Sequence, residues 1–318
     1  MLASIVIRTY NEQRYLPQLL EAVAEQTLAD LGCEVIVVDS GSSDRTVQIA
    51  QRFGCRLVHI QKADFSFGRS LNLGCQAARG EYLVFISGHC VPTSSQWLAQ
   101  LLHPLQAQRA VLTYGRQLGG EQTRFSEKQV FSKFYPPASR IPQTGFFCNN
   151  ANAALLRPIW LRNPFNEALT GLEDMELGKR LIAQGLQIAY VAEAAVWHYH
   201  DESWSKVLHR YEREAIALQH IMPEVHIHFL DFLRYLTAAI WSDSRAAIQS
   251  GLLGSKLKEI CLFRLMQFWG SYRGNWEHRT LSRHKKEMYF GYLETAAAAQ
   301  SAAKPNELET TSAPRVDI

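Results

Sequence analysis

Glu34–Thr46 reads EVIVVDSGSSDRT: an apolar, β-branched run, then an aspartate, a string of small residues and the start signal of a helix. An unbroken apolar run suits a strand buried on both faces, and the small residues after it suit a tight turn. In an open α/β sheet this order delivers Asp39 to the carboxyl edge of the strand, the crevice where such sheets bind nucleotides. Asp39 carries two readings: a contact to a bound ligand, or a side chain that hydrogen-bonds its own turn.

Outward from this segment, strand and helix patterns alternate. A strand at 4–8 precedes a helix with Leu16, Leu19, Leu20 and Val23 on one face. The strand at 35–38 precedes a helix that Ser43 or Asp44 caps and Gly54 ends. A strand at 57–60 leads to a helix closing at Gly80, and a strand at 82–86 runs into Ser87-Gly88-His89. Apolar strands separated by helices predict an α/β fold, a mostly parallel sheet with helices on both faces. Beyond a strand at 110–114 come FFCNNANAALLRP (146–158), a helix in LEDMELGKRLIAQG (172–185) and a strand from Gln187 into AVWHYH (195–200). From about Ser203 helical segments rich in aromatics take over, and 295–318 reads as a disordered tail.

With 318 residues, 47% of them hydrophobic, the chain can bury a sizeable core. Lys and Arg number 33 against 30 Asp and Glu, so no strongly basic field points to nucleic acid. Six cysteines without CxxC spacing, and a start that enters a strand at once, predict a reducing, cytoplasmic setting. No apolar run reaches the roughly 18–20 residues that span a bilayer. The C-terminal helices suit packing on the main domain; the basic cluster Arg279, Arg283, Lys285 and Lys286 keeps a peripheral membrane contact open.

Four segments in order, IVIRTYNE (5–12), VIVVDSGSSDRT (35–46), GRSLNLGCQAARGEYLVFIS (68–87) and GLEDMELGKRL (171–181), resemble the family-2 glycosyltransferases of GT-A fold across roughly residues 3–200. The resemblance implies a GT-A domain over 1–202, with a nucleotide-binding half at 1–115 and an acceptor half at 116–202, followed by a helical extension at 203–294. It implies a nucleotide-diphosphate sugar donor, with Thr9, Tyr10 and Glu12 at base and ribose, Asp39 on the base, and Arg69 and Asn72 at the polar positions of the third helix. Taken singly, Tyr10 reads as a packed aromatic and Arg69 as a solvated charge.

The chain departs from the family where an Asp-x-Asp triplet usually holds ribose and a divalent ion: here stand Ser87, Gly88 and His89. Ser87 is the substitute for the ribose contact and His89 for the metal-binding acid, imidazole favouring Mn2+ or another transition ion over Mg2+. The plain alternative for His89 is a loop hydrogen bond. Strand periodicity sends His198 and His200 to one face; His198 resembles the family's late histidine near the diphosphate, and His200 is the weaker candidate.

The resemblance assigns the base to Asp174, with Glu173 contacting acceptor or positioning the loop; the alternative is that both acids complement a helix dipole. Asn149, Asn150 and Asn152 are amides suited to sugar hydroxyls, or turn residues. One carboxylate without a nucleophile partner suits a single inverting displacement. The expected function is transfer of a sugar to a hydroxyl of a glycan or lipid-linked acceptor in cell-surface polysaccharide assembly, with a weaker likeness to rhamnosyltransferases. A non-catalytic nucleotide-sugar-binding module and a sugar nucleotidyltransferase are the alternatives, and self-association stays open.

Overall fold

A computed structural model of the chain describes residues 2–27 and 32–290, with backbone alone from 276 to 290. Residues up to Asn275 form one compact unit; in the next unit, which starts at Trp276, the described backbone is helical to Phe290. The basic cluster expected at Arg279–Lys286 and the tail expected at 295–318 lie outside the residues whose side chains are described.

The first half alternates as expected: β1 (Leu2–Thr9), α1 (Leu16–Ala24), β2 (Gly32–Asp39), α2 (Thr46–Arg52), β3 (Arg56–His59), α3 (Phe67–Ala77) and β4 (Tyr82–Ser87). Then follow β5 (Cys90–Pro92), α4 (Trp97–Gln106), β6 (Leu112–Gly119), α5 (Phe125–Phe134), β7 (Asn152–Leu156), α6 (Arg157–Arg162), α7 (Glu173–Ala183) and β8 (Ile188–His198). The helices α8 (Trp204–Ile221), α9 (Phe229–Gln249) and α10 (Leu253–Phe290) complete the described chain. The strands make one eight-stranded sheet in the order β3-β2-β1-β4-β7-β6-β8-β5. β3, β2, β1 and β4 are mutually parallel, β7 runs antiparallel to β4 and β6, and β6 is parallel to β8. β6 crosses the 115/116 division expected between two halves, so the sheet is continuous there.

Period-2 alternation builds two cores, one per face. Ile5, Ile7, Val37 and Val84 pack with Leu16, Leu19 and Leu20 of α1 and Leu98 and Leu101 of α4. Val6, Ile36, Val38 and Phe85 pack with Leu71 of α3 and Leu177 of α7. All these side chains are buried, each contributing about 1.5–3 kcal/mol. The face foreseen for α1 is the one that is buried. Asp44 accepts from the Thr46 N–H and so starts α2, while Gly54, at φ +67°, ends it where an L side chain would be strained.

Asn152 opens β7 with no exposure, which corrects its reading as an amide for sugar hydroxyls. Its Oδ1 accepts from Trp97 Nε1 at 2.9 Å, and its Nδ2 donates to the carbonyls of Arg116 and Ala194. It therefore ties α4, β6 and β8 together. The sheet is irregular here: β6 advances from Gly115 to Gln117 while β8 advances from Val191 to Val196. A Cβ on Gly115 would lie 2.0 Å from the Ala194 carbonyl oxygen, so only glycine fits.

The C-terminal helices α9 and α10 make contacts with each other and with α5. Asp243 of α9 and Arg264 of α10 form a buried pair at 2.7 Å, and Glu259 of α10 accepts from the Phe125 N–H at the start of α5. Asn152→Ala leaves an indole N–H and two carbonyls unpaired; urea denaturation will show a loss of about 2–4 kcal/mol, whereas a sugar-binding amide would leave stability within about 0.5 kcal/mol of the parent.

Candidate active site

Register fixes the edge. β1 and β2 pair Thr9 with Asp39, and β1 and β4 pair Arg8 with Ser87, so three strand ends open on one side. Thr9 is buried, and its hydroxyl bonds Asp39 Oδ1 at 3.2 Å. The Asp39 carboxylate also accepts from Ser42 Oγ at 2.5 Å and from the N–H groups of Gly41 and Ser42. With 1% exposure and four donors, Asp39 holds its own turn. Tyr10 is 47% exposed, with the Lys62 ammonium 5.6 Å from its ring centroid, so its outer face is open for stacking.

One expected nucleotide contact, Asn72, is corrected. Asn72 is buried and saturated: Nδ2 donates to the Phe165 carbonyl and Glu167 Oε1, and Oδ1 accepts from Trp160 Nε1 and the Phe165 N–H. Asn72 therefore clamps the segment 160–167 onto α3. Glu12 faces His89, whose Nδ1 lies 2.7 Å from Glu12 Oε1. Arg69 is exposed in the first turn of α3, where Ser66 caps its N–H, and Ser87 is half-buried at the end of β4.

His89, His198 and His200 come together, one ring nitrogen from each lying within 4.8 Å of the others. The His89 and His198 rings stack at 5.0 Å, and those of His198 and His200 meet edge-on at 4.1 Å. Each Nδ1 lies 2.7 Å from a side-chain oxygen: Glu12 for His89, Gln117 for His198, Glu127 for His200. An acceptor at Nδ1 favours a hydrogen there, which in a neutral ring leaves the lone pair on Nε2. The Nε2 of His198 is buried and unpartnered. Burial, then the neighbouring His200, His89 and Arg210, hold His198 well below the usual histidine range; burial, then Arg210, His89 and Arg124, do the same for His200. Neutral imidazoles, oriented by oxygens behind them and presenting an orphaned nitrogen, fit a transition-metal cation. A Cβ on Gly88 would lie 2.9 Å from Glu12 Cγ and 3.1 Å from the Arg8 carbonyl oxygen, so a side chain there would crowd the turn carrying His89 and push on Glu12.

The acid pair sits across the same edge. Leu172, at φ +55°, precedes α7, a strained backbone for a non-glycine residue that aims the first helical turn inward. Glu173 Oε1 pairs with Arg8 at 3.1 Å. Asp174 is buried and accepts from the N–H groups of Asn150 and Met175. Burial first, then the Glu173 charge, raise its carboxyl to about 7 against these two N–H groups and Arg8. Asn149 Oδ1 accepts from Gln117 Nε2, so Gln117 bridges the histidine cluster to the 149–150 turn that holds Asp174. The Nδ2 of Asn150 is a buried donor without a partner.

Positive charge enters from α8. Arg210 pairs with Glu127 at 2.6 Å and Glu202 at 3.0 Å. The Arg213 guanidinium stacks over Phe67 at 4.5 Å, with Arg8 5.2 Å from the same ring. Arg210 and Arg213 line a cavity of about 520 Å³ with Lys206 and His209. A cavity of about 570 Å³, lined by Tyr15, Trp197 and Tyr199, contains none of the expected site residues. His200 was the weaker candidate of its pair, and Gln117, Glu127 and Arg210 were not among the residues expected at the site. The HYH alternation pointed to His200, whereas the other three come from separate elements and carry no local signal.

Residues 4–160 match the family Glycosyl transferase family 2. The chain is 26% identical over 224 residues to the O-antigen chain rhamnosyltransferase RfbN of Salmonella typhimurium (strain LT2), covering 66% of this chain and 70% of that protein. It is 32% identical over 90 residues to the uncharacterized glycosyltransferase EpsJ of Bacillus subtilis (strain 168), covering 27% of this chain and 26% of the relative. Among solved structures, the mannosyltransferase PcManGT of Pyrobaculum calidifontis, in complex with GDP-Man and Mn2+, superposes with a TM-score of 0.59 at 15% identity, covering 86% of this chain and 87% of that one. That likeness establishes the GT-A fold.

Asp174 holds its proton more tightly when folded than the ordinary carboxyl near 4. Its contribution to stability is therefore complete below about pH 4 and is lost as pH rises through about 7. Urea denaturation at pH 5 and pH 8 will show the parent losing more stability across that interval than Asp174→Asn; equal losses would place the carboxyl near its ordinary value.

Proposed function

We propose that this chain, which carries a family-2 glycosyltransferase domain over residues 4–160, moves a sugar from a nucleotide-diphosphate donor to an acceptor hydroxyl with inversion at the sugar carbon. One observation carries the reading: the Arg8–Glu173 pair and the Gln117 bridge join the acid pair and the three histidines at one sheet edge.

The donor's base and ribose lie along Thr9, Tyr10 and Ser87, with the open face of Tyr10 stacking on the base. Arg69, exposed near the mouth, and Arg213 meet the phosphates. His89, His198 and His200 would hold a divalent transition cation, Mn2+ by preference over Mg2+, which neutralises charge on the leaving diphosphate. Asp174 takes the proton of the acceptor hydroxyl, the oxygen bonds to the anomeric carbon, and the sugar–phosphate bond breaks with its electron pair on the diphosphate. A carboxyl near 7 suits a base at neutral pH. Glu173 is held by Arg8 and so positions the α7 turn, while Asn149 and Asn150 border the acceptor. The likeness to RfbN supports a deoxyhexose donor, a glycan or lipid-linked acceptor and a place in polysaccharide assembly. The replacement of the acidic triplet by Ser87-Gly88-His89 favours a second reading, a nucleotide-sugar binder without turnover.

A panel of nucleotide sugars, assayed for nucleoside diphosphate release with a glycan acceptor, separates the two readings. Parent activity will rise with pH to a plateau above about 7, as the carboxylate form appears, and Asp174→Asn will lower kcat by about 10²–10⁴. Full activity in Asp174→Asn removes the base assignment, and donor binding with no release in the parent establishes the binder. Calorimetric titration with Mn2+ reads the cation site without turnover: Gln117→Ala will weaken binding about 10–100-fold, and His198→Ala will abolish it. Unchanged affinity in His198→Ala would exclude the histidine cluster as the site.

A further inference from the structure

α9 buries one face and leaves another bare. Phe232, Asp243 and Ala247 turn inward. On the opposite side Leu230, Trp241 and Ile248 are 76%, 74% and 61% exposed, and Leu233 is 39% exposed. Helical periodicity puts Leu230, Leu233, Thr237, Trp241 and Ile248 in one row, about 27 Å long. So long an exposed apolar row on a folded protein marks an interaction surface.

The charges on α9 indicate the partner. Of its two acids, Asp231 accepts from the His228 N–H to start the helix, and Asp243 is buried against Arg264. The charges left facing solvent are Arg234 and Arg245, exposed along the edge of the row and in no ion pair among the described residues. A convex apolar ridge bordered by one sign of charge, with a tryptophan in the middle, matches the boundary of a bilayer carrying anionic headgroups. Residues 295–318 offer only Leu308, Val316 and Ile318 as bulky aliphatic side chains, too few to cover the row. No described helix is long and apolar enough to cross a membrane, so contact along the surface is the geometry this helix allows.

We propose that the outer row of α9 docks the protein flat on an anionic lipid surface, with Leu230, Trp241 and Ile248 entering the headgroup boundary and Arg234 and Arg245 meeting lipid phosphates. The inference stands apart from the proposed transfer reaction, because its test reads binding and not turnover.

The full chain is sedimented with phosphatidylcholine vesicles, with and without phosphatidylglycerol. The parent will pellet with the anionic vesicles. Leu230→Glu/Trp241→Glu will weaken partitioning at least tenfold, and Arg234→Glu/Arg245→Glu will weaken it about tenfold or more and remove the preference for anionic lipid. Thermal melts of both variants will match the parent, since the replaced side chains are exposed. The proposal is overturned if the parent stays in the supernatant, if both variants bind like the parent, or if sedimentation velocity shows a dimer that Trp241→Glu dissolves while vesicles leave the parent unbound.

Discussion

The Arg8–Glu173 ion pair is the constraint on which the site depends. It joins the last turn of β1 to the first turn of α7, residues separated by 165 positions in sequence, and Glu173 is nearly inaccessible to water. Breaking such a pair leaves a buried charge uncompensated, which costs about 3–5 kcal/mol. The mouth of the sheet is thus locked to the helix carrying the acid, and Asp174 follows into a buried position beside a fixed negative charge. Burial does most to raise the proton affinity of Asp174, and the same contact that closes the architecture adds the Glu173 charge, which raises it further, and the Arg8 charge, which lowers it.

In the proposed reading, the histidine cluster takes the place of the missing acids. In the resemblance, carboxylates at the end of the fourth strand touch the cation directly. Here three imidazole rings stand at that place, and carboxylates stand one ring behind: Glu12 under His89 and Glu127 under His200, with the Gln117 amide under His198. The negative charge is retained but moved outward, and each oxygen fixes the ring in front of it. Such a shell is softer than a pair of carboxylates, which shifts preference from Mg2+ toward transition ions. Arg210 ties Glu127 and Glu202 to α8, so the first of the C-terminal helices is part of the same electrostatic assembly.

The parallel half of the fold was legible because its signals are local: unbroken apolar strands, helix faces such as Leu16, Leu19, Leu20 and Val23, and a glycine at Gly54. That Asp39 and His89 stand at one edge followed from strand polarity, whereas Asp174 was expected there only from the resemblance. Long-range hydrogen bonds were not legible. Asn72 and Asn152 look like ligand amides in sequence, and only the Trp160 and Trp97 indoles, contributed from distant elements, reveal them as clamps. Gln117 escaped notice because it is aimed by a sheet irregularity that no residue pattern encodes. The strand expected at 110–114 runs further than its apolar residues indicate, because pairing with β8 carries β6 through to Gly119.

The central claim is that three imidazoles gather a cation at the edge where the acid pair lies. Anomalous diffraction at the manganese edge, from crystals grown with Mn2+ and a nucleoside diphosphate, tests it most directly. A single strong peak equidistant from the Nε2 atoms of His89, His198 and His200, with a phosphate oxygen beside it, is the result the account predicts. A peak instead among Glu127, His200 and Glu202, the other grouping whose ligand atoms lie within 4.8 Å of one another, or ordered nucleotide with no metal peak at the histidines, would contradict it.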